Sequence, residues 1–138
     1  MTPRPILIVD DDIDHAVILR TVLAAVAPDA PTETCTDVAR FPVVLTEAAP
    51  DAVVFIDRML RGVDSLRYLH DVCAARADLY VVVLSAALSS DDRQRALAAG
   101  AVAAFEKPGH LADWRALLIQ VLGDANRRAD GRDAARTG

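Results

Sequence analysis

Val53-Val54-Phe55-Ile56 is an unbroken run of β-branched and aromatic residues, and it ends on a carboxylate, Asp57. Bounded by Pro50-Asp51 before it and Arg58 after it, the run predicts a strand buried on both faces, as strands inside parallel sheets are. Ligands of open α/β sheets bind outside the carboxyl ends of the strands. Asp57 therefore stands at the edge where chemistry is done.

Other apolar segments repeat the pattern. Ile6–Val9 runs into Asp10-Asp11-Asp12, Leu79–Leu84 into Ser85, and Ala101–Phe105 towards Lys107. Thr32–Thr36 is polar and alternating, as expected of an edge strand. Helical spacing separates these segments. Ile18, Leu19, Val22, Leu23 and Val26 form one stripe over 14–26, and Leu66, Leu69, Val72 and Cys73 another over 63–75. A shorter helix capped by Thr36 or Asp37 must take Pro42 in its first turn or break there, with Leu45 and Ala48 inward. Ser89 or Ser90 caps a fourth helix that carries Asp91 and Asp92 in its first turn and stops at Gly100. The fifth covers 111–122, places Trp114 in the core with Leu111, Leu118 and Val121, and is stopped by Gly123.

Five strands alternating with five helices predict an α/β, doubly wound, five-stranded parallel sheet with right-handed crossovers. Residues 1–123 would form this one domain, and 124–138, lacking an apolar period, a flexible charged tail.

A net charge of -5 leaves no basic surplus for neutralising phosphates, so direct nucleic-acid binding is not expected. Cys35 and Cys73 form no C-x-x-C pair and no secretory leader is expected before them. Reduced, buried, inert thiols and a cytoplasmic location are expected. The longest apolar stretch is about ten residues against the ~20 of a membrane span, so membrane insertion is not expected either.

The polar residues at the strand ends carry the chemistry. Parallel strands put Asp10, Asp11, Asp57, Ser85 and Lys107 at one edge, and acids gathered there repel unless a cation joins them. A hard divalent ion with few protein ligands points to Mg²⁺, for which a phosphoryl group is a natural second ligand. Lys107 is the only lysine among fifteen basic residues, which suits a position needing a compact ammonium. His15, His70 and His110 lack ligand spacing and are expected on exposed helix or loop positions.

Val9-Asp10-Asp11, Ile56-Asp57, Leu84-Ser85-Ala86 and Lys107-Pro108, in this order on these strand ends, resemble the receiver domain of two-component response regulators. The resemblance covers roughly residues 4 to 122. It implies a flavodoxin-like fold with strand order 2-1-3-4-5, and a switch rather than an enzyme, whose only chemistry is self-phosphorylation and autodephosphorylation. Asp57 would be the phosphoacceptor, served by a histidine kinase or phosphotransfer protein. Asp11, Asp57 and the Met59 backbone carbonyl would hold Mg²⁺ directly, with Asp10 acting mainly through water. Lys107 would neutralise the phosphoryl oxygens and Ser85 would hydrogen-bond the group, drawing its loop inward. Lys107-Pro108 would be a cis peptide. Output would pass from a stand-alone domain to a downstream protein target, or through a homodimer.

The chain departs from the family where Arg61 and Ser65 replace the usual Pro and Gly, which brings the rigidity of that loop into question. Ala104 stands where the aromatic or His switch is usual, and Gly109 where Phe is. Met59 and Ala87 occupy positions that help place the hydrolytic water in this family, which implies a long-lived phosphoryl state. A haloacid-dehalogenase-type phosphatase is the competing enzyme reading, although it wants a second Asp where Met59 stands. A phosphorylation-independent docking module is the third.

Overall fold

The computed structural model describes residues 3–137, with side chains described for these apart from Val38 and 129–137. Five parallel strands form one sheet: β1 (Ile6–Val9), β2 (Thr32–Cys35), β3 (Val53–Asp57), β6 (Tyr80–Ser85) and β7 (Ala103–Glu106). Their order is β2-β1-β3-β6-β7. Counting only these five, that is the expected 2-1-3-4-5. A separate two-stranded hairpin joins β4 (Met59–Leu60) to β5 (Val63–Asp64).

Alternation along each strand divides the core in two. Leu7, Val9, Val54, Ile56, Val81, Val83 and Ala104 point to one face. Against them pack α2 (Phe41–Thr46), α3 (Leu66–Ala75) and α4 (Ser90–Ala98). Ile8, Val53, Phe55, Val82 and Leu84 point to the other face, covered by α1 (Ile13–Val26) and α5 (Leu111–Thr137). Each buried Leu or Ile removed from water stabilises the layering by about 1.5–3 kcal/mol. Trp114, Leu118 and Val121 are buried in this second layer, as expected, whereas Leu111, expected beside them, is exposed.

Caps fix the helix starts. Asp12 accepts from the N–H groups of Asp14 and His15 at the head of α1, and Ser89 from that of Asp92 at the head of α4. Pro42 sits in the first turn of α2, after a short 3₁₀ turn (Val38–Arg40), so the N-cap position is Arg40 rather than the expected Thr36 or Asp37, and Asp37 instead accepts from the Ala39 N–H. Gly100 ends α4 at φ +109, and a Cβ there would lie 2.5 Å from Cys73 Cβ. Only glycine meets both demands.

Several boundaries differ from the sequence reading. The third helix starts at Leu66 instead of Val63, because Arg61 and Gly62 both take positive φ and turn the chain back on itself as a two-residue hairpin loop. The last strand begins at Ala103 rather than Ala101. The fifth helix passes through Gly123 to Thr137. A glycine inside a helix costs about 1 kcal/mol relative to alanine, and the apolar stripe of Trp114, Leu118, Val121 and Ala125 continues across it. The expectation of a mobile tail falls, from residue 129 on, outside the described side chains, and Gly138 lies outside the described residues. Among the described residues, no helix is long and apolar enough to cross a membrane.

Candidate functional site

Strand register builds the site. Val9 pairs with Ile56, so the next residues on the two strands, Asp10 and Asp57, stand side by side. Asp57 pairs in turn with Leu84, and Ser85 with Glu106, the residue before Lys107. The four apolar strands thus end in one line of polar groups.

Lys107 closes that line. Its Nζ donates to Asp57 Oδ2 at 2.9 Å and to Asp10 Oδ2 at 3.0 Å, and its side chain is only 7% exposed. Oxygens of Asp10, Asp11 and Asp57 all lie within 4.8 Å of one another. One ammonium cannot balance three carboxylates. Burial pushes the Asp57 carboxyl above its ordinary range; Lys107 acts the other way, and Asp10 adds to the rise. Burial opposes the charge on Lys107, but hydrogen bonding to Asp57 and the charge of Asp10 hold its pKa above normal. Three hard oxygen donors with surplus negative charge on one edge fit a divalent cation of the Mg²⁺ type.

The hairpin after Asp57 is anchored by means that the sequence reading did not anticipate. Met59 donates its N–H to Asp57 Oδ1 at 3.3 Å, and Arg61 its N–H to Asp11 Oδ2 at 3.1 Å. Ser65 is fully buried, donates its hydroxyl to the Asp57 carbonyl at 2.8 Å, and donates its N–H to the Arg58 carbonyl at 2.7 Å. Arg61 and Ser65 therefore fix the loop that their departure from the family pattern had brought into question. Charged pairs tie it to α4: Arg95 Nη2 lies 2.8 Å from Asp64 Oδ2, and Arg58 Nη1 lies 3.4 Å from Asp92 Oδ1.

Ser85 is at the expected strand end and buried, yet its hydroxyl donates to the Ala87 carbonyl at 2.7 Å. It is turned into its own loop rather than towards Asp57. That loop is also held by the Leu88 N–H, which donates to Glu106 Oε1 at 3.1 Å. Ala104 is buried on the α2-α3-α4 side and Phe105 packs on the opposite one, so neither is an inward-turning aromatic at the site.

Two expectations need correction. Among the described residues no peptide bond is cis, and Lys107-Pro108 is trans; trans is the lower-energy isomer even before proline. Of the three histidines, His70 and His110 are exposed, but His15 is half-buried with Nδ1 2.9 Å from Lys107 Nζ. Its signal was its place in the first turn of α1, three residues after the Asp12 cap, where a helical side chain can lean back over the strand ends.

Over residues 6–119 the chain matches the family model described as the response regulator receiver domain. Among solved structures it is similar to the signal receiver domain of a DNA binding response regulator protein from Colwellia psychrerythraea. The two are 28% identical with a TM-score of 0.74, over 87% of this chain and 98% of that one. A CheY-like receiver domain protein from Methanospirillum hungatei has TM-score 0.74 at 18% identity, over 91% and 98% of the two chains. A response regulator protein from Burkholderia pseudomallei, solved with a phosphorylated aspartic acid, calcium ion and citrate, has TM-score 0.72 at 16% identity, over 98% and 75%. No curated protein matches the chain.

Proposed function

This chain belongs to the response regulator receiver domain family, and we propose that it is a phosphoacceptor switch in which Asp57 takes a phosphoryl group from a histidine kinase or phosphotransfer protein. The observation that carries this reading is the gathering of Asp10, Asp11 and Asp57 at one sheet edge, with Asp10 and Asp57 sharing a single buried ammonium.

In the reaction an Asp57 carboxylate oxygen attacks phosphorus, forming an O–P bond as the N–P bond of a phosphohistidine breaks. The imidazole leaves with the bonding electron pair and takes up a proton. Charge spreads over the phosphoryl oxygens as transfer proceeds. Lys107 is fixed beside Asp57 and needs no rearrangement to meet that charge. Mg²⁺ would be held by Asp11, Asp57 and the Met59 carbonyl, with Asp10 behind water, and supplies charge neutralisation and alignment of the phosphoryl oxygens. Ser65, bonded to the Asp57 carbonyl, keeps the nucleophile's backbone in place.

Output follows from Ser85. To hydrogen-bond a phosphoryl oxygen on Asp57, its hydroxyl must leave the Ala87 carbonyl, which frees the loop ahead of α4. The Arg58, Asp64, Asp92 and Arg95 pairs carry the displacement to α4 itself. The kinase would dock near α1 and the start of α5, where Ile13, Val17 and Leu111 expose apolar surface. A downstream protein, or a second copy of the chain, would read the altered face. In this reading residues 1–123 are the receiver unit and 124–138 a charged tail, in a protein of the cytoplasm.

The test is incubation with Mg²⁺ and acetyl phosphate, followed by intact mass measurement. One added phosphoryl group per chain, absent in Asp57→Asn and without turnover of phosphomonoesters, supports the switch. Continuous release of phosphate from many phosphomonoesters would support the phosphatase instead, and an unlabelled wild type the docking module.

A further inference from the structure

Lys107 has a third contact that the transfer chemistry above does not use, the 2.9 Å approach of His15 Nδ1 to its Nζ. We propose that His15 is a positioning residue for the Lys107 ammonium, a role that rests on the reading of Asp57 as the phosphoacceptor.

An ammonium carries three hydrogens and no lone pair, so it can only donate. Its three partners are Asp57 Oδ2 at 2.9 Å, Asp10 Oδ2 at 3.0 Å and His15 Nδ1 at 2.9 Å. The imidazole must then present its lone pair at Nδ1 and carry its hydrogen on Nε2. The same Nδ1 lies 3.5 Å from Asp12 Oδ2 and 3.9 Å from Asp10 Oδ2, distances that suit ion pairs only if Nδ1 bears a hydrogen. The closer approach of a cationic donor decides for the acceptor role.

Lysine holds its charge on a flexible four-carbon stem. With two carboxylates alone as partners, the ammonium is free to swing about the axis between them. His15 removes that freedom, because its backbone sits in a capped first turn of α1 followed by the buried Ala16 and Leu19. When Asp57 takes up the phosphoryl group, Asp10 and His15 still hold the ammonium, and its remaining hydrogen stays aimed at Asp57, where the phosphoryl oxygens arrive. His15 touches neither phosphoryl donor nor acceptor and acts through Lys107.

Two variants separate this role from a structural one. His15→Leu removes the acceptor but keeps a good helix former, and His15→Asn returns an oxygen at the reach of Nδ1. Initial rates of labelling are measured against acetyl phosphate concentration in Mg²⁺. In His15→Leu the maximal rate should fall about five- to tenfold, the worth of one hydrogen bond, with half-saturation unchanged, and His15→Asn should return it to within about twofold of wild type. Leu labelling as fast as wild type, or Asn no faster than Leu, overturns the proposal. Imidazole ¹⁵N shifts give a readout independent of labelling. They should report the Nε2–H tautomer, with the Nδ1 resonance moving in Lys107→Met; an Nδ1–H ring also overturns the proposal. A wild type that does not label but carries the Nε2–H ring contradicts the phosphoacceptor reading alone.

Discussion

Lys107 Nζ rests 2.9 Å from Asp57 Oδ2 across a separation of 50 residues in the chain, and the same nitrogen serves Asp10. Removing it leaves the buried Asp10 facing the partly buried Asp57. Lys107→Ala should lower stability by about 1–3 kcal/mol in urea unfolding. Mg²⁺ should recover part of that loss, since a cation bound only by the folded state stabilises it by mass action. No change in midpoint with the variant would mean that the ammonium is not holding the acids together.

Asp57 itself should prove a burden on the fold. Its pKa is raised chiefly by burial. A group raised on folding contributes stability that is present below its unfolded pKa and lost as pH rises through the folded value. At neutral pH the carboxylate therefore weighs against folding. Asp57→Asn should stabilise by about 1 kcal/mol near pH 7, with the gain shrinking towards about pH 4. Urea midpoints at the two pH values check the sign, and a destabilised variant at pH 7 would contradict it.

Asp78 should behave in the opposite sense. Hydrogen bonding to Arg76 holds its carboxyl far below the usual range, and Arg76 also donates to the carbonyls of Thr46 and Ala48, each at 2.9 Å. Stability from a depressed pKa is present above the unfolded value and is lost as pH falls through the folded one. Asp78→Asn should cost about 1 kcal/mol at neutral pH. The difference from wild type should begin to shrink in the usual carboxylate range and disappear only as pH falls through the depressed folded value, which a pH series of thermal unfolding measures.

How much of this could be read beforehand depended on the length over which a signal acts. Asp10, Asp57 and Lys107 were legible because each follows an apolar strand, and parallel pairing puts strand ends together whatever lies between. Ser65 and His15 were not. Ser65 is buried by a hydrogen bond to the Asp57 carbonyl, which exists only once the Arg61-Gly62 turn has folded the hairpin back. His15 reaches Lys107 from another element, across 92 residues. The end of α5 is not legible at Gly123, because the local breaker competes with the stripe that continues through Val121 and Ala125, and packing outweighs propensity there.

Met59, at 37% exposure beside the site, has no side-chain group able to orient water, and Ala87 has none either. The phosphoryl state should therefore be long-lived. Met59→Asn should speed autodephosphorylation by about tenfold, in the range of one added water-positioning hydrogen bond. Decay of the labelled protein after removal of acetyl phosphate gives the rates, and a wild-type half-life of seconds would count against the prediction.

The central claim is that Asp57 carries phosphorus, and chemical trapping tests it directly. An acyl phosphate is reduced by borohydride to the alcohol, which turns the labelled aspartate into homoserine. After Mg²⁺ and acetyl phosphate, peptide sequencing by mass spectrometry should find homoserine at position 57 and at neither Asp10 nor Asp11, with none formed when the metal is chelated. Homoserine at another position, or none at all with metal and donor present, would contradict the account.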